Sequence, residues 1–455
     1  MSAPAVSVWH ARYLWVTAGA VAMIFLAATQ ALAVTTVMPV VSADLDGAGL
    51  FAVAFSGTLA TSVIGMVAVG AWCDRAAPVW PLTTSVVLFV VGLAIAGSAP
   101  DMLTLVVGRL IQGLGTGGQT VALYVVVARV YPSTLHGRVF AAFSAAWVVP
   151  SLVGPVLAGA VADYLHWRWV FLGVAALTML AYVVVYLRLR GFTMTVDGGG
   201  ARAPIAGRLA WAILVAVAAL TLGWAGEFGS AAPLVVGASA LALIIAARPL
   251  LPRGTLRARR GLPSVILMRG LIAGALFGAE IYVPYLLISD YGFSSMWAGL
   301  GLTGAALLWA LGAEVQGRYG DRLGNARIAV WGTVLLGVAT ITAAASAMAD
   351  LPAGIVIGGW TLAGAGMGLM YPRLTVLTLA YSTPHNQGFN SAALSISDAI
   401  GAATTIAAMG LTFSALSATT AGYPVVFLIG TGLAILALVP GLRLGDARKA
   451  PTTAV

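Results

Sequence analysis

Charge is what this 455-residue chain has least of. Charged residues make up 8% of it and apolar residues 60%, whereas a soluble globular domain carries about 25% charged residues. That shortage excludes an ordinary water-soluble domain. Lysine is nearly absent, Lys449 being the only one, so arginine carries almost all the positive charge behind the net +9. The arginines form no continuous patch and cluster at the ends of apolar runs, which points to membrane topology and away from a nucleic-acid partner. A single cysteine, Cys73, excludes an intramolecular disulfide and a zinc site. Four scattered histidines, with no HExxH or CxxC, give no metal centre to expect. The chain has no GxxxxGKS or GxxxxGKT loop, which argues against an ATP-driven machine.

What the chain has instead is long apolar runs. A membrane-spanning helix needs roughly 20 apolar residues, and the runs predict spans near 14–38, 51–73, 80–98, 103–128, 138–162 and 168–188. Two more are expected near 209–225 and 232–248, and six near 264–288, 296–316, 328–348, 352–380, 389–413 and 423–443. The total is fourteen, grouped six, two and six. With the N-terminus inside, the inner segments hold Arg75, Arg129, Arg138, Arg188, Arg253, Arg257, Arg322 and Arg443 among others. The outer loops hold Asp44, Asp46, Asp101, Asp163, Glu227, Asp290 and Asp350, with Arg168 as their only cation. This asymmetry follows the positive-inside rule, and a twelve-span alternative would leave the apolar stretch 209–248 in the cytoplasm. Ala31-Leu32-Ala33 resembles a signal-peptide cleavage site, but the run before it is too long for one, so an uncleaved first span is expected. Asp197-Gly198-Gly199-Gly200 reads as a flexible linker. The segment 251–263 reads as a basic amphipathic stretch at the inner surface, serving topology or contacting anionic lipid. The resulting domains are 1–190, a six-helix bundle; 191–262, a linker with two extra spans; and 263–455, a second six-helix bundle with a short inner tail.

The punctuation repeats. Gly70-Ala71-Trp72-Cys73-Asp74-Arg75 is echoed by Gly317-Arg318-Tyr319-Gly320-Asp321-Arg322, an offset of 317 − 70 = 247. Gly113-Leu114-Gly115-Thr116-Gly117 is echoed by Gly364-Ala365-Gly366-Met367-Gly368, and Pro132 and Gly137 by Pro384 and Gly388. Repeats at this period inside apolar sequence read as two related halves of a membrane transporter.

On these residues the chain resembles the major facilitator superfamily, specifically its 14-span drug–proton antiporter branch. The resemblance covers essentially the whole chain. Gly70, Asp74 and Arg75 match the loop motif between the second and third spans, and Gly317, Asp321 and Arg322 its counterpart in the second half. Arg109-Leu110-Ile111-Gln112-Gly113 matches the fourth-span motif, Gly154-Pro155-Val156-Leu157-Ala158-Gly159 the fifth-span antiporter motif, and Trp167-Arg168-Trp169 the start of the sixth span. The implied fold is an all-α polytopic membrane protein of the major facilitator type, two pseudo-symmetric six-helix bundles plus two extra central helices. Three departures stand out. The first loop motif ends Ala77-Pro78-Val79 without the usual basic residues. Gln30 stands where the branch often has a membrane-embedded Asp, and Pro150 where a glycine is usual.

Charges inside spans are costly and face a bundle interior or an aqueous cavity. Those here are Arg109, Arg269, Glu280 and Asp398, with Glu314 near an inner helix end. Glu280 lies at mid-span and is expected to couple a proton to transport, or to form a structural ion pair with an arginine on another helix. Asp398 binds a cation or proton, or only organises hydrogen bonds around Ser395. Arg109 matches an arginine implied to tune a nearby acid, and the plainer reading is that it satisfies backbone carbonyls. Its counterpart by the 251 offset is Trp360, so the halves are electrically unequal. Arg269, near the inner end, is expected to snorkel. Asp74 and Asp321, at inner helix ends, can meet a neighbouring helix N-terminus and so latch one conformation. Gly154, Pro155 and Gly159 imply a kinked fifth span associated with export. Gln30, Trp147, Tyr282, Tyr285 and Trp309 are candidates to line a substrate cavity, packing or interfacial anchoring being the plainer reading for the aromatics.

The expectation is a monomeric secondary transporter in a bacterial-type cytoplasmic membrane, both termini inside. It exports hydrophobic or amphipathic small molecules, cations included, against proton entry. No cofactor is expected beyond protons as the coupling ion, and no nucleic acid; the partners are the lipid bilayer and a small hydrophobic substrate. An exporter of lipid-like metabolites and a proton-coupled nutrient symporter are the rivals of the same fold. A membrane sensor is a third, but no loop is long enough for an output domain. An enzyme is not expected.

Overall fold

The computed structural model describes residues 8, 10–46, 50–192, 205–416 and 421–444, and these are almost entirely helical. The linker read at Asp197–Gly200 and the basic tail residues Arg448 and Lys449 lie outside them. The helices are α1 (Ala11–Asp44), α2 (Phe51–Cys73), α3 (Val79–Gly97), α4 (Met102–Val130), α5 (Ser133–Ala145), α6 (Val148–Tyr164) and α7 (Arg168–Leu189). The inserted pair is α8 (Ile205–Gly223) and α9 (Ala232–Ala247). Then come α10 (Leu262–Glu280), α11 (Tyr282–Ser289), α12 (Ser295–Leu323), α13 (Asn325–Ala349), α14 (Ala353–Ala380), α15 (Gln387–Leu416) and α16 (Gly422–Leu442). Their outward faces carry Leu59, Trp80, Leu103, Leu180, Leu234 and Ile435, all more than half exposed. A surface of that kind is suited to hydrocarbon, where every backbone polar group must be bonded within its own helix.

Among the described residues thirteen helices are long and apolar enough to cross a membrane. The fifth of the fourteen expected spans is the exception. It is broken at Ala146–Trp147 into α5 and α6, each too short to cross alone. Pro150 explains the break, because it has no N–H for the Ala146 carbonyl and its ring crowds that oxygen. The kink expected at Gly154-Pro155 therefore lies about two turns earlier, and α6 continues through Pro155 to Tyr164. A second proline acts the same way in the span expected at 264–288. There α10 ends at Glu280 and α11 begins at Tyr282, and Pro284 is the residue that cannot donate to the Glu280 carbonyl.

The chain packs as two units, Met1–Trp224 with Ser382–Ala392, and Ala225–Tyr381 with Ala393–Val455. In the first, α4 lies between α2 and α3, and α1 packs on α6 and α7 around Val34, Met38, Phe89, Leu93, Leu105 and Phe171. In the second, α14 lies between α12 and α13, with α16 against α10 and α13. The repeated glycines set these distances. A Cβ on Gly117 would strike the Ser62 carbonyl of α2, and one on Gly368 the Trp309 carbonyl of α12. The inserted helices are divided between the units: α8 belongs to the first and packs along α2, whereas α9 belongs to the second.

Candidate functional site

The charged centre of the second unit is built on α10, α14 and α15. Three glycines one turn apart, Gly270, Gly274 and Gly278, let α10 lie directly on α15. A Cβ at Gly270 would come within 2.8 Å of the Ser397 carbonyl oxygen, at Gly274 within 2.9 Å of the Gly401 carbonyl oxygen, and at Gly278 within 2.8 Å of Met409 Sδ. Such small-residue seams are how membrane helices approach closely. The seam brings Arg269 to Asp398. The guanidinium Nε donates to Asp398 Oδ1 at 2.8 Å, and Nη1 donates to the Tyr371 carbonyl at 3.0 Å and Thr375 Oγ1 at 3.5 Å. The Tyr371 hydroxyl donates to the same Oδ1, and the Arg269 guanidinium lies over the Tyr371 ring. Trp309 of α12 meets Tyr371 edge to face, with centroids 5.4 Å apart and planes at 67°. Arg269 therefore does not snorkel. Seven residues into α10, about 10 Å from its start, its side chain is 6% exposed and is held by an acid 129 residues away in the chain.

Glu280 stands three turns farther along α10, half-buried at the helix break. Among the described residues it makes no ion pair, so the structural pairing weighed for it from sequence is not found there. Just after it in the chain come Tyr282, buried and packed on Phe413 at 5.0 Å, and Tyr285, which is exposed.

The first unit treats its buried arginine differently. Arg109 donates from Nε to the Ala54 carbonyl at 3.0 Å and from Nη1 to Gln112 Oε1 at 2.8 Å. These are neutral acceptors, and no carboxylate reaches it among the described residues. Gln30 is fully buried, with both side-chain polar atoms unpartnered among the described residues.

Within the first unit, just past the end of α2, Asp74 caps α15. Its Oδ1 accepts from the Gly388 N–H at 2.6 Å and its Oδ2 from the Phe389 N–H at 2.9 Å, two of the donors that a helix start leaves open. The motif glycine earns its place here, since a Cβ on Gly70 would lie 2.6 Å from the Gly388 carbonyl oxygen. Arg129 braces the same clasp, donating to the carbonyls of Cys73, Ala76 and Pro384 and to Gln387 Oε1. Arg208, from the first turn of α8, stacks on the Phe389 ring at 4.5 Å. Burial pushes the Asp74 carboxyl up to about 6, opposed by the two N–H donors and by the charges of Arg129 and Arg208. The second loop copy is built otherwise. Asp321 is 67% exposed and pairs with Arg373 Nη1 at 2.8 Å, while Arg373 Nε donates to Asn325 Oδ1. Arg75 and Arg322 are exposed, and Gly317 is half-buried.

The remaining sequence candidates scatter. Gly154 and Gly159 have room, a Cβ on either lying 4.0 Å from α1 side chains, so neither is demanded by packing. The Pro155 side chain lies outside the described residues. Trp147 is about half exposed at the α5/α6 break. The features missed from sequence are Tyr371 as a donor to Asp398, Pro284 beside Glu280, and Arg129 and Arg208 at the clasp. Pro284 was readable, since a proline four residues after an intramembrane acid frees that acid's own carbonyl.

The family described as Major Facilitator Superfamily matches residues 20–403. The Acurin A biosynthesis cluster MFS-type transporter of Aspergillus aculeatus is 26% identical over 367 residues, 76% of this chain and 65% of that protein. The multidrug transporter protein MdtP of Bacillus subtilis is 24% identical over 378 residues, 80% of this chain and 68% of that protein. Several other relatives are matched over less than a third of their own length. Among solved structures, the human organic anion transporter MFSD10 superposes with a TM-score of 0.68 at 15% identity, covering 93% of this chain and 99% of that one. At that identity the likeness speaks for the fold alone.

Proposed function

From the chain's membership of the Major Facilitator Superfamily, which makes it a multi-pass membrane transporter and not an enzyme, we propose that it is a proton-coupled exporter of hydrophobic or amphipathic small molecules. Within the family we place it in the 14-span drug–proton branch, as a monomer in a bacterial-type cytoplasmic membrane with both termini inside. The observation that carries the reading is Glu280, a carboxyl within a membrane span, at a proline-broken point of its helix, with no ion pair among the described residues. A carboxylate without a counter-ion is costly in hydrocarbon, so its proton leaves only when water or a cation arrives. That requirement ties proton release to a change of access. Inward proton movement contributes about 2.3 kcal/mol per 100 mV of membrane potential, which is enough to drive export. The inserted helices α8 and α9 and the name of the Bacillus subtilis relative support the branch.

The test is proton movement itself. The full chain is reconstituted in liposomes with a pH-sensitive dye inside, a pH gradient is imposed, and lipophilic compounds are added. Wild type is expected to move protons when a substrate is added, and Glu280→Gln to move none while remaining folded. Equal proton movement in both would remove Glu280 from coupling, and flow of compound in the same direction as the protons would overturn the export direction.

A further inference from the structure

The centre around Asp398 has the makings of a binding site distinct from Glu280. Both groups that hold the carboxylate, Arg269 Nε and the Tyr371 hydroxyl, converge on Oδ1. Oδ2 has no partner among the described residues, and the side chain is 26% exposed. A carboxylate does not spend exposed surface on hydrocarbon, so the open oxygen faces a space that water or a polar ligand can enter. Beside it stand Tyr371 and Trp309, both partly exposed, their rings at 67° forming an apolar corner. Arg269, by contrast, is almost fully covered and spends its donors on Asp398, the Tyr371 carbonyl and Thr375.

Charge counting then fixes the kind of ligand. The single negative charge of Asp398 is already matched by Arg269. A permanent cation placed at Oδ2 would set two positive groups around one carboxylate, and the acid on α10, Glu280, stands about 16 Å along that helix from Arg269. A neutral hydrogen-bond donor satisfies the open oxygen without unbalancing the pair, and a hydrogen bond to a charged acceptor is among the stronger ones. We propose that Asp398, Tyr371 and Trp309 form a binding site for neutral aromatic molecules bearing a hydroxyl or N–H donor, with Arg269 as the built-in counter-ion that turns permanent cations away. The proposal rests on the reading of the chain as a transporter of amphipathic molecules and names the substrate class for this one centre.

Three probes separate the parts: 4-hydroxybiphenyl, its methyl ether, and tetraphenylphosphonium. Their binding to the purified full chain is measured by calorimetry, each variant being checked for monodispersity and thermal unfolding. Wild type is expected to bind the phenol about tenfold tighter than the ether, the value of one good hydrogen bond, and to bind the cation weakest. Trp309→Leu should weaken all neutral binding, with Trp309→Phe restoring most of it. The charge-balanced pair Arg269→Met with Asp398→Ala should abolish the preference for phenol over ether. Arg269→Gln strands the carboxylate and should raise cation affinity by about tenfold, a switch made by removing a repulsive element. Glu280→Gln should keep the phenol preference even where it stops proton movement, which separates this proposal from the coupling role of Glu280. The site is overturned if wild type binds phenol and ether alike or none of the probes. It is equally overturned by cation binding that is tightest in wild type and indifferent to Arg269→Gln, or by a phenol preference that survives the double substitution or is lost in Glu280→Gln.

Discussion

Arg109 and Arg269 are equally buried, each about 5% exposed, and the two units answer them differently. Arg109 is met by a backbone carbonyl and an amide oxygen, Arg269 by a carboxylate and a tyrosine that shares it. A neutral answer leaves a fixed positive charge that nothing nearby can titrate away. A carboxylate answer makes a pair that a proton or a ligand can disturb. The difference teaches that two halves related by sequence need not be electrically alike. The first unit holds its buried arginine with neutral oxygens, and the second holds its own in an ion pair.

The largest expected effect comes from breaking the carboxylate answer. Arg269→Met leaves Asp398 without its counter-ion, and removing one partner of a buried pair costs about 3 kcal/mol or more. The midpoint of thermal unfolding in detergent should fall accordingly, and adding Asp398→Leu should recover most of the loss. Failure to recover would mean the pair is not what holds α10 to α15 at this level. Arg109→Met should cost less, since it removes two hydrogen bonds to neutral acceptors and an unbalanced charge along with them, and leaves no charge stranded. A loss equal to that of Arg269→Met would reveal a carboxylate answering Arg109 after all.

The loop copies sharpen the same contrast at a smaller scale. Asp74→Asn keeps one acceptor but turns an NH2 donor on the second N–H, so amide exchange at Gly388 and Phe389 should quicken by about tenfold. The pH dependence follows from the raised Asp74 value. Because the clasped carboxyl takes up its proton at about 6 instead of 3.8, protons favour the clasped state. That contribution is complete below 3.8 and is lost as pH rises through about 6. Exchange at the two amides, corrected for its intrinsic rate, should therefore slow on acidification from neutral pH in wild type and not in Asp74→Asn. Asp321→Asn should do least. Its carboxylate is two-thirds exposed, and the buried Arg373 keeps Asn325 Oδ1 and the new amide oxygen as acceptors, so a loss of about 1 kcal/mol is expected, near the limit of a thermal melt.

Much of the architecture was legible in the chain because it rests on local or periodic features. The apolar runs gave the spans, and Gly70 and Asp74 marked the clasp because one must be small and the other must reach a helix start. Arg269 was misread for the opposite reason. Distance from a helix end can be counted along the sequence, but an acid 129 residues away is brought beside it only by the Gly270–Gly274–Gly278 seam. Pro150 and Pro155 are equally visible in the sequence, yet the fifth span breaks a turn before the first and runs on through the second. The roles of Tyr371 and Arg208 depend wholly on tertiary placement and leave no local mark.

The glycine seam between α10 and α15 has a mechanical consequence. At Gly270 and Gly274 an added side chain would strike the α15 backbone, so a larger residue at either must push α10 off α15 and part Arg269 from Asp398. The ion pair is thus answerable to residues that touch neither of its charges.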